Sequence, residues 1–112
     1  EPIVADGPAA YFTTLPARAM LAAALAAGVP TQLSLSAGAF LCNQVTYELL
    51  HYLAMATLAI PAGFVHVPYL PEQAAGKKPQ RPSMSLATMC MGITAVIQAI
   101  RAHVDQGVRD NQ

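Results

Sequence analysis

An α/β fold, with an open and mostly parallel sheet and helices on both faces in three layers, follows from the order of the periodic segments. That order is helix, strand, helix, strand, helix. Two or three short strands are few for a sheet buried on both faces. Composition agrees that something is missing: of 112 residues, 54% are hydrophobic and only 11% charged, against about 25% charged in an average soluble domain. A chain of this length buries about two-thirds of the surface its unfolded form exposes. Either apolar surface stays exposed or something outside this chain covers it. Residues 1–112 are therefore read as a single α/β domain or as part of one.

The first fifteen residues hold turn formers (Pro2 and Asp6-Gly7-Pro8) and then a β-prone piece, Tyr11-Phe12-Thr13-Thr14. Pro16 suits the first turn of a helix and Gly28 its C-terminal cap, with an Ala-rich stretch between them carrying Met20, Leu21 and Leu25. Residues 31–36 alternate polar and apolar as a strand does. After Ala37-Gly38-Ala39 a long helical pattern runs from about Cys42 to Leu58 and is apolar almost all round, which predicts burial on several sides. Pro61-Ala62-Gly63 ends it, and Phe64-Val65-His66-Val67 reads as a short buried strand.

Pro68 to Pro82 reads as a long loop with the only dense basic cluster, Lys77-Lys78 with Arg81, taken as a solvated loop. Ser83 or Ser85 caps a last helix to about Val104, with Leu86, Met89, Cys90, Ile93, Ile97 and Ile100 as its apolar stripe. The polar tail over 105–112 is expected to fray.

Several function classes are excluded by the arithmetic. Lys+Arg equals Asp+Glu at 6 each, so the basic stripe that dominates nucleic-acid binding is missing. The longest clean apolar run, Met20 to Val29, is about half of a bilayer span, so no membrane segment is expected. The start lacks a basic and apolar leader, and without Met it reads as processed, truncated or one piece of something longer. Two cysteines are too few for a disulfide framework and favour a reducing, cytoplasmic setting. No phosphate loop, GxGxxG or metal-ligand spacing is present.

Cys42 follows a strand and a small-residue turn and opens a helix. Backbone N–H groups and the dipole at a helix N-terminus favour a thiolate and can receive an oxyanion. The alternative is a buried, inert cysteine. His66 ends the next strand, and parallel strands gather their active groups at one sheet edge, where a Cys/His pair supplies nucleophile and base. His66 is otherwise a satisfied core histidine. The acids Glu1, Asp6, Glu48, Glu72, Asp105 and Asp110 offer no convincing third member. Cys90 is read as core, and His51 and His103 as helical residues without a ligand partner.

Four segments then carry a resemblance: Gly7-Pro8-Ala9-Ala10-Tyr11-Phe12-Thr13-Thr14-Leu15-Pro16, Ser36-Ala37-Gly38-Ala39-Phe40-Leu41-Cys42-Asn43, Phe64-Val65-His66-Val67-Pro68-Tyr69-Leu70-Pro71-Glu72-Gln73 and Pro82-Ser83-Met84-Ser85-Leu86. In this order they resemble the C-terminal half of the pyrrolidone-carboxylate peptidases, the type I pyroglutamyl peptidases. The resemblance implies a cysteine peptidase that removes an N-terminal pyroglutamyl residue through a thioester. Cys42 would be nucleophile, His66 general base, and Phe40 and Leu41 walls of the lactam-ring pocket. It also implies a cytosolic, cofactor-free homo-oligomer whose partner is a pyroglutamyl-peptide substrate. The family's orienting Glu lies in a segment upstream of those matched here, and Gln44 stands where His is more usual. An isolated chain of this kind is expected to be impaired. The alternatives are a non-catalytic, oligomerising fragment or shortened homologue, and a cysteine hydrolase of another acyl substrate that borrows a carboxylate from a partner chain.

Overall fold

The structure, a computed structural model, describes residues 3–110. It contains the helices α1 (Ala17–Ala26), α2 (Leu41–Met55), α3 (Pro71–Ala74) and α4 (Leu86–Asp110). The chain divides into two compact units, each built from two stretches. One takes the chain up to Leu15 together with Ser34–Val65, and the other takes Pro16–Leu33 and everything from His66 onward.

The first unit is organised by α2. Leu50 and Leu53 are buried with Ala62, and Tyr11 packs against them. Burying each of the two leucines stabilises by roughly 1.5–3 kcal/mol. The segment before Leu15 is pinned to this core by threonines. Thr14 N–H donates to the Ala62 carbonyl at 2.9 Å, and Ala62 N–H donates back to Thr14 Oγ1 at 2.7 Å. Thr13 Oγ1 donates to the same carbonyl at 3.1 Å.

The expectation that α2 is buried on several sides is corrected. Tyr47, Leu50 and Leu53 form its one buried face, while Val45, Leu49, Tyr52 and Met55 are exposed. α2 ends in a Schellman arrangement: Leu58 N–H reaches the Leu53 carbonyl at 2.9 Å and Thr57 N–H the Ala54 carbonyl at 3.2 Å. That arrangement needs a left-handed residue, and here Thr57 supplies it at φ 55°.

The second unit is α1 packed on α4. α1 begins at Pro16, whose carbonyl accepts from Met20 N–H at 3.0 Å. It ends in a Schellman pair as well, with Val29 N–H to Ala24 and Gly28 N–H to Leu25, both 3.0 Å, around Gly28 at φ +82°. Met20, Ala24 and Val29 are buried. α4 meets them with Gly92 and Val96. A Cβ at Gly92 would lie 3.0 Å from Val29 Cγ1, so glycine is what lets this turn of α4 come so near.

The inward face of α4 is therefore centred on Gly92 and Val96, with Met89, Ile93 and Ile100 half-buried beside it, rather than on the whole expected stripe. Leu86 and Ile97 are exposed. So is Cys90, which was expected in the core. Ser85 caps α4 as expected, its Oγ accepting from Thr88 N–H at 3.2 Å. The helix continues past Val104 to Asp110, assisted by Arg101–Asp105 at 4.0 Å and Gln106 Nε2 donating to Asp110 Oδ1 at 2.9 Å. By length and composition α4 is also long and apolar enough to cross a membrane. Its apolar run is not unbroken, since Thr88, Thr94 and Gln98 interrupt it.

The strands expected at 31–36 and 64–67 are not formed, and the β-prone piece at 11–14 forms none either. Among the described residues the sole β pairing is an isolated parallel bridge between Tyr69 and Ser83. A strand exists only through a neighbour that shares its ladder, and Leu33, Leu35, Val65 and Val67 stand exposed instead. The loop from Pro68 to Pro82 contains α3, started by Pro71 and by Gln73 Oε1 accepting from Leu70 N–H at 2.9 Å. Pro2, part of the expected opening turn, and Glu1, among the candidate acids, lie outside the described residues, as do residues 111 and 112 of the tail.

Candidate active site

The approach to Cys42 is a chain of serine turns. Ser34 Oγ donates to the Ser36 carbonyl at 2.7 Å, and Ser36 Oγ accepts from Gly38 N–H at 3.0 Å. Gly38 then turns the chain at φ +94°, a conformation that favours glycine. Phe40 is the N-cap of α2 and provides no side-chain cap. The first intrahelical bond runs from Gln44 N–H to the Phe40 carbonyl at 3.2 Å. The N–H groups of Leu41, Cys42 and Asn43 therefore precede the helical ladder. Cys42, the second residue of α2, is a half-buried free thiol. Thr46 Oγ1 donates to its carbonyl at 2.7 Å.

A thiol beside unused backbone donors suits nucleophilic attack on a carbonyl, because the oxygen that gains charge meets N–H groups already in place. An apolar N-cap serves that purpose: a Ser or Asp at position 40 would occupy one of those donors itself. Phe40 and Leu41 are 87% and 71% exposed. They stand on either side of the helix start.

Cys42 belongs to the first unit, and His66 begins the second stretch of the other. His66 lies exposed in the extended segment before Pro68. Of the acids considered, Glu48 is exposed on α2 and Glu72 is exposed in the first turn of α3. Among the described residues no three His, Cys, Asp or Glu side chains gather into a metal-holding group.

The same helix carries a cluster that sequence reasoning passed over. The Tyr11 hydroxyl and His51 Nδ1 are 2.7 Å apart, and Tyr47 OH donates to the Pro8 carbonyl at 2.6 Å. The Tyr47 and His51 rings stack at 6.0 Å, and the Tyr11 ring meets Tyr47 edge-on at 4.9 Å. Burial pushes the Tyr47 phenol above its ordinary value, and charge on Tyr11 pushes the same way. The i, i+4 spacing of Tyr47 and His51 was visible in the sequence, but their partner Tyr11 was not. The cluster ties the N-terminal segment to the helix that presents Cys42.

The profile of a family described as pyroglutamyl peptidase matches residues 1–103. A pyrrolidone-carboxylate peptidase from Pseudomonas fluorescens is 54% identical over 97 residues, covering 87% of this chain and 44% of that protein. One from Gloeobacter violaceus is 50% identical over 101 residues, covering 90% and 48%. The chain thus spans about half the length of the curated relatives it matches. Among solved structures, the pyrrolidone carboxyl peptidase of Thermococcus litoralis superposes with a TM-score of 0.88 at 34% identity, over 96% of this chain and 50% of that one. A mutant pyrrolidone carboxyl peptidase from Pyrococcus furiosus gives 0.85 at 38% identity, over 92% and 51%. These neighbours have an α/β fold.

Proposed function

The chain belongs to the pyroglutamyl peptidase family, and on that footing we propose that it carries the nucleophile and base of a cysteine peptidase acting on N-terminal pyroglutamyl peptides. The supporting observation is Cys42 at the second position of α2, ahead of the helical ladder, inside the segment that resembles the family's nucleophile region.

In this reading His66 removes the thiol proton and Sγ of Cys42 attacks the pyroglutamyl acyl carbon. The Cys42 N–H receives the oxyanion. Collapse breaks the C–N bond, His66 returns the proton to the leaving amine, and a thioester remains. Water, deprotonated by His66, then attacks the thioester and releases pyroglutamate and the thiol. The lactam ring is neutral and partly apolar, which suits walls made by Phe40 and Leu41.

The order of the four matched segments supports assignment to the C-terminal half of the family fold. The extended segments 31–36 and 64–67 would join the parallel sheet of the complete fold, and the orienting Glu would come from an upstream segment. Losing only a triad's orienting group costs about four orders of magnitude in rate. Two free thiols suit a cytoplasmic setting, and the exposed Phe12, Leu35 and Phe40 suit a homo-oligomer. That exposed apolar surface also favours a second reading, a catalytically impaired fragment or shortened homologue that acts only by oligomerising.

Two measurements separate the readings. Intact mass reports whether the protein is an 11.7 kDa species alone or has a companion polypeptide. Hydrolysis of a fluorogenic pyroglutamyl amide, abolished by Cys42→Ser, supports the peptidase. Absence of turnover supports the impaired fragment, and undiminished turnover in Cys42→Ser overturns the nucleophile.

A further inference from the structure

Serine side chains hold the approach to α2. No strand forms at 31–36, and Leu35, Ser36, Gly38 and Ala39 are exposed, so neither a ladder nor close packing fixes how the chain reaches the helix. Ser34 clasps the Ser36 backbone from both sides: its Oγ accepts from Ser36 N–H at 3.3 Å and donates to the Ser36 carbonyl at 2.7 Å. Ser36 Oγ in turn accepts from Gly38 N–H at 3.0 Å. Gly38 sits at φ +94°, and a Cβ there would meet nothing within 4 Å. Glycine is thus needed for the conformation and not for space. Because glycine adopts positive and negative φ about equally well, the bond from Ser36 selects between them.

α2 is anchored by its later turns, where Tyr47, Leu50 and Leu53 are buried. Its first turn runs ahead of that anchor: Leu41, Gln44 and Val45 are exposed, and Phe40 gives no side-chain cap. Helix ends of this kind fray. The restraint on this one comes from outside the helix, through the Ser36–Gly38 turn. An oxyanion gains fully only from donors already about 2.7–3.1 Å from where it forms, and a misplacement of about 1 Å costs up to about a hundredfold in rate. We propose that Ser36 is a positioning residue of the reaction: its hydroxyl fixes the Gly38 turn and so keeps the first-turn N–H groups of α2 aimed at the oxyanion. This role rests on the peptidase reading above and names the side chain on which its oxyanion site depends.

The test is hydrolysis of a fluorogenic pyroglutamyl amide by the full chain and by its Ser36→Ala, Ser36→Thr and Gly38→Ala variants. In Ser36→Ala kcat is expected to fall by about ten- to a hundredfold, with KM and the thermal unfolding midpoint unchanged. Ser36→Thr keeps a hydroxyl and restores kcat. Gly38→Ala disfavours the same turn without crowding it and lowers kcat likewise. A kcat kept in Ser36→Ala or in Gly38→Ala, a loss that Ser36→Thr does not restore, or a loss carried by KM or by unfolding overturns the assignment. Should the unsubstituted chain turn over no pyroglutamyl amide, the peptidase reading fails on its own. The positioning is then read from the rate of alkylation by iodoacetamide in the Cys90→Ala background, where Cys42 is the remaining thiol. N–H groups that receive an oxyanion also favour the thiolate, so a rate lowered severalfold in Ser36→Ala and restored in Ser36→Thr supports the role. Any other pattern of rates overturns it.

Discussion

Tyr11 and His51 meet across forty residues of sequence, hydroxyl to Nδ1 at 2.7 Å, and this bond joins the N-terminal segment to the helix whose first turn holds the candidate nucleophile. Tyr11→Phe keeps the ring packing and removes only the hydroxyl. It should cost about 1 kcal/mol and lower the melting temperature by about 4 °C, read by denaturant and thermal unfolding.

Tyr47 makes stability fall in alkali. Its folded phenol titrates above the ordinary 10.0 because of burial and then Tyr11. Below about pH 10 the folded and unfolded chains both hold the proton, and the contribution is whole. Above it the unfolded chain ionises first, so stability declines until the folded phenol ionises too. The urea midpoint should drop as pH rises through this window and drop less in Tyr47→Phe. Equal slopes in the two proteins would count against the buried phenol.

Thr57 holds a left-handed conformation at φ 55°, which is costly for a β-branched residue. Thr57→Gly should raise stability by about 0.5–1 kcal/mol, the strain relieved less the chain entropy glycine adds. The reverse holds at the equivalent position of α1, where Gly28→Ala should destabilise by about 1 kcal/mol. Chemical denaturation of both variants gives the pair of signs.

Gly92 is the close point between α4 and the segment after α1. Any Cβ there meets Val29 Cγ1 at 3.0 Å. Gly92→Leu should cost about 1–3 kcal/mol by overpacking, and Val29→Ala in the same chain should return part of it. A double-mutant cycle measures that coupling. Simple additivity would mean the two residues do not touch.

The helices were legible because their signals are local. Gly28 and Ser85 mark ends that depend on a few neighbouring residues, and the apolar spacing of α2 and α4 needs no distant partner. The far end of α4 was not legible from apolar period, since Arg101–Asp105 and Gln106–Asp110 are polar pairs on an exposed helix. Strands at 31–36 and 64–67 depended on ladder partners that alternation alone does not supply. Cys42 at a helix start was readable, because a small-residue turn followed by a helical period is a local pattern. Its pairing with His66 is an expectation from strand order and the family resemblance, since the two sit in different units.

Each unit draws on two stretches of chain that alternate, with junctions at Leu15/Pro16, Leu33/Ser34 and Val65/His66. No single scission therefore parts one unit from the other. A break after Val65 keeps every residue of the first unit but strands α1 on one fragment and α4 on the other. Within the second unit, the packing of α1 and Val29 on α4 then runs across the two fragments. The close approach at Gly92 is thus what any division of this protein by protease or by gene fusion would have to keep.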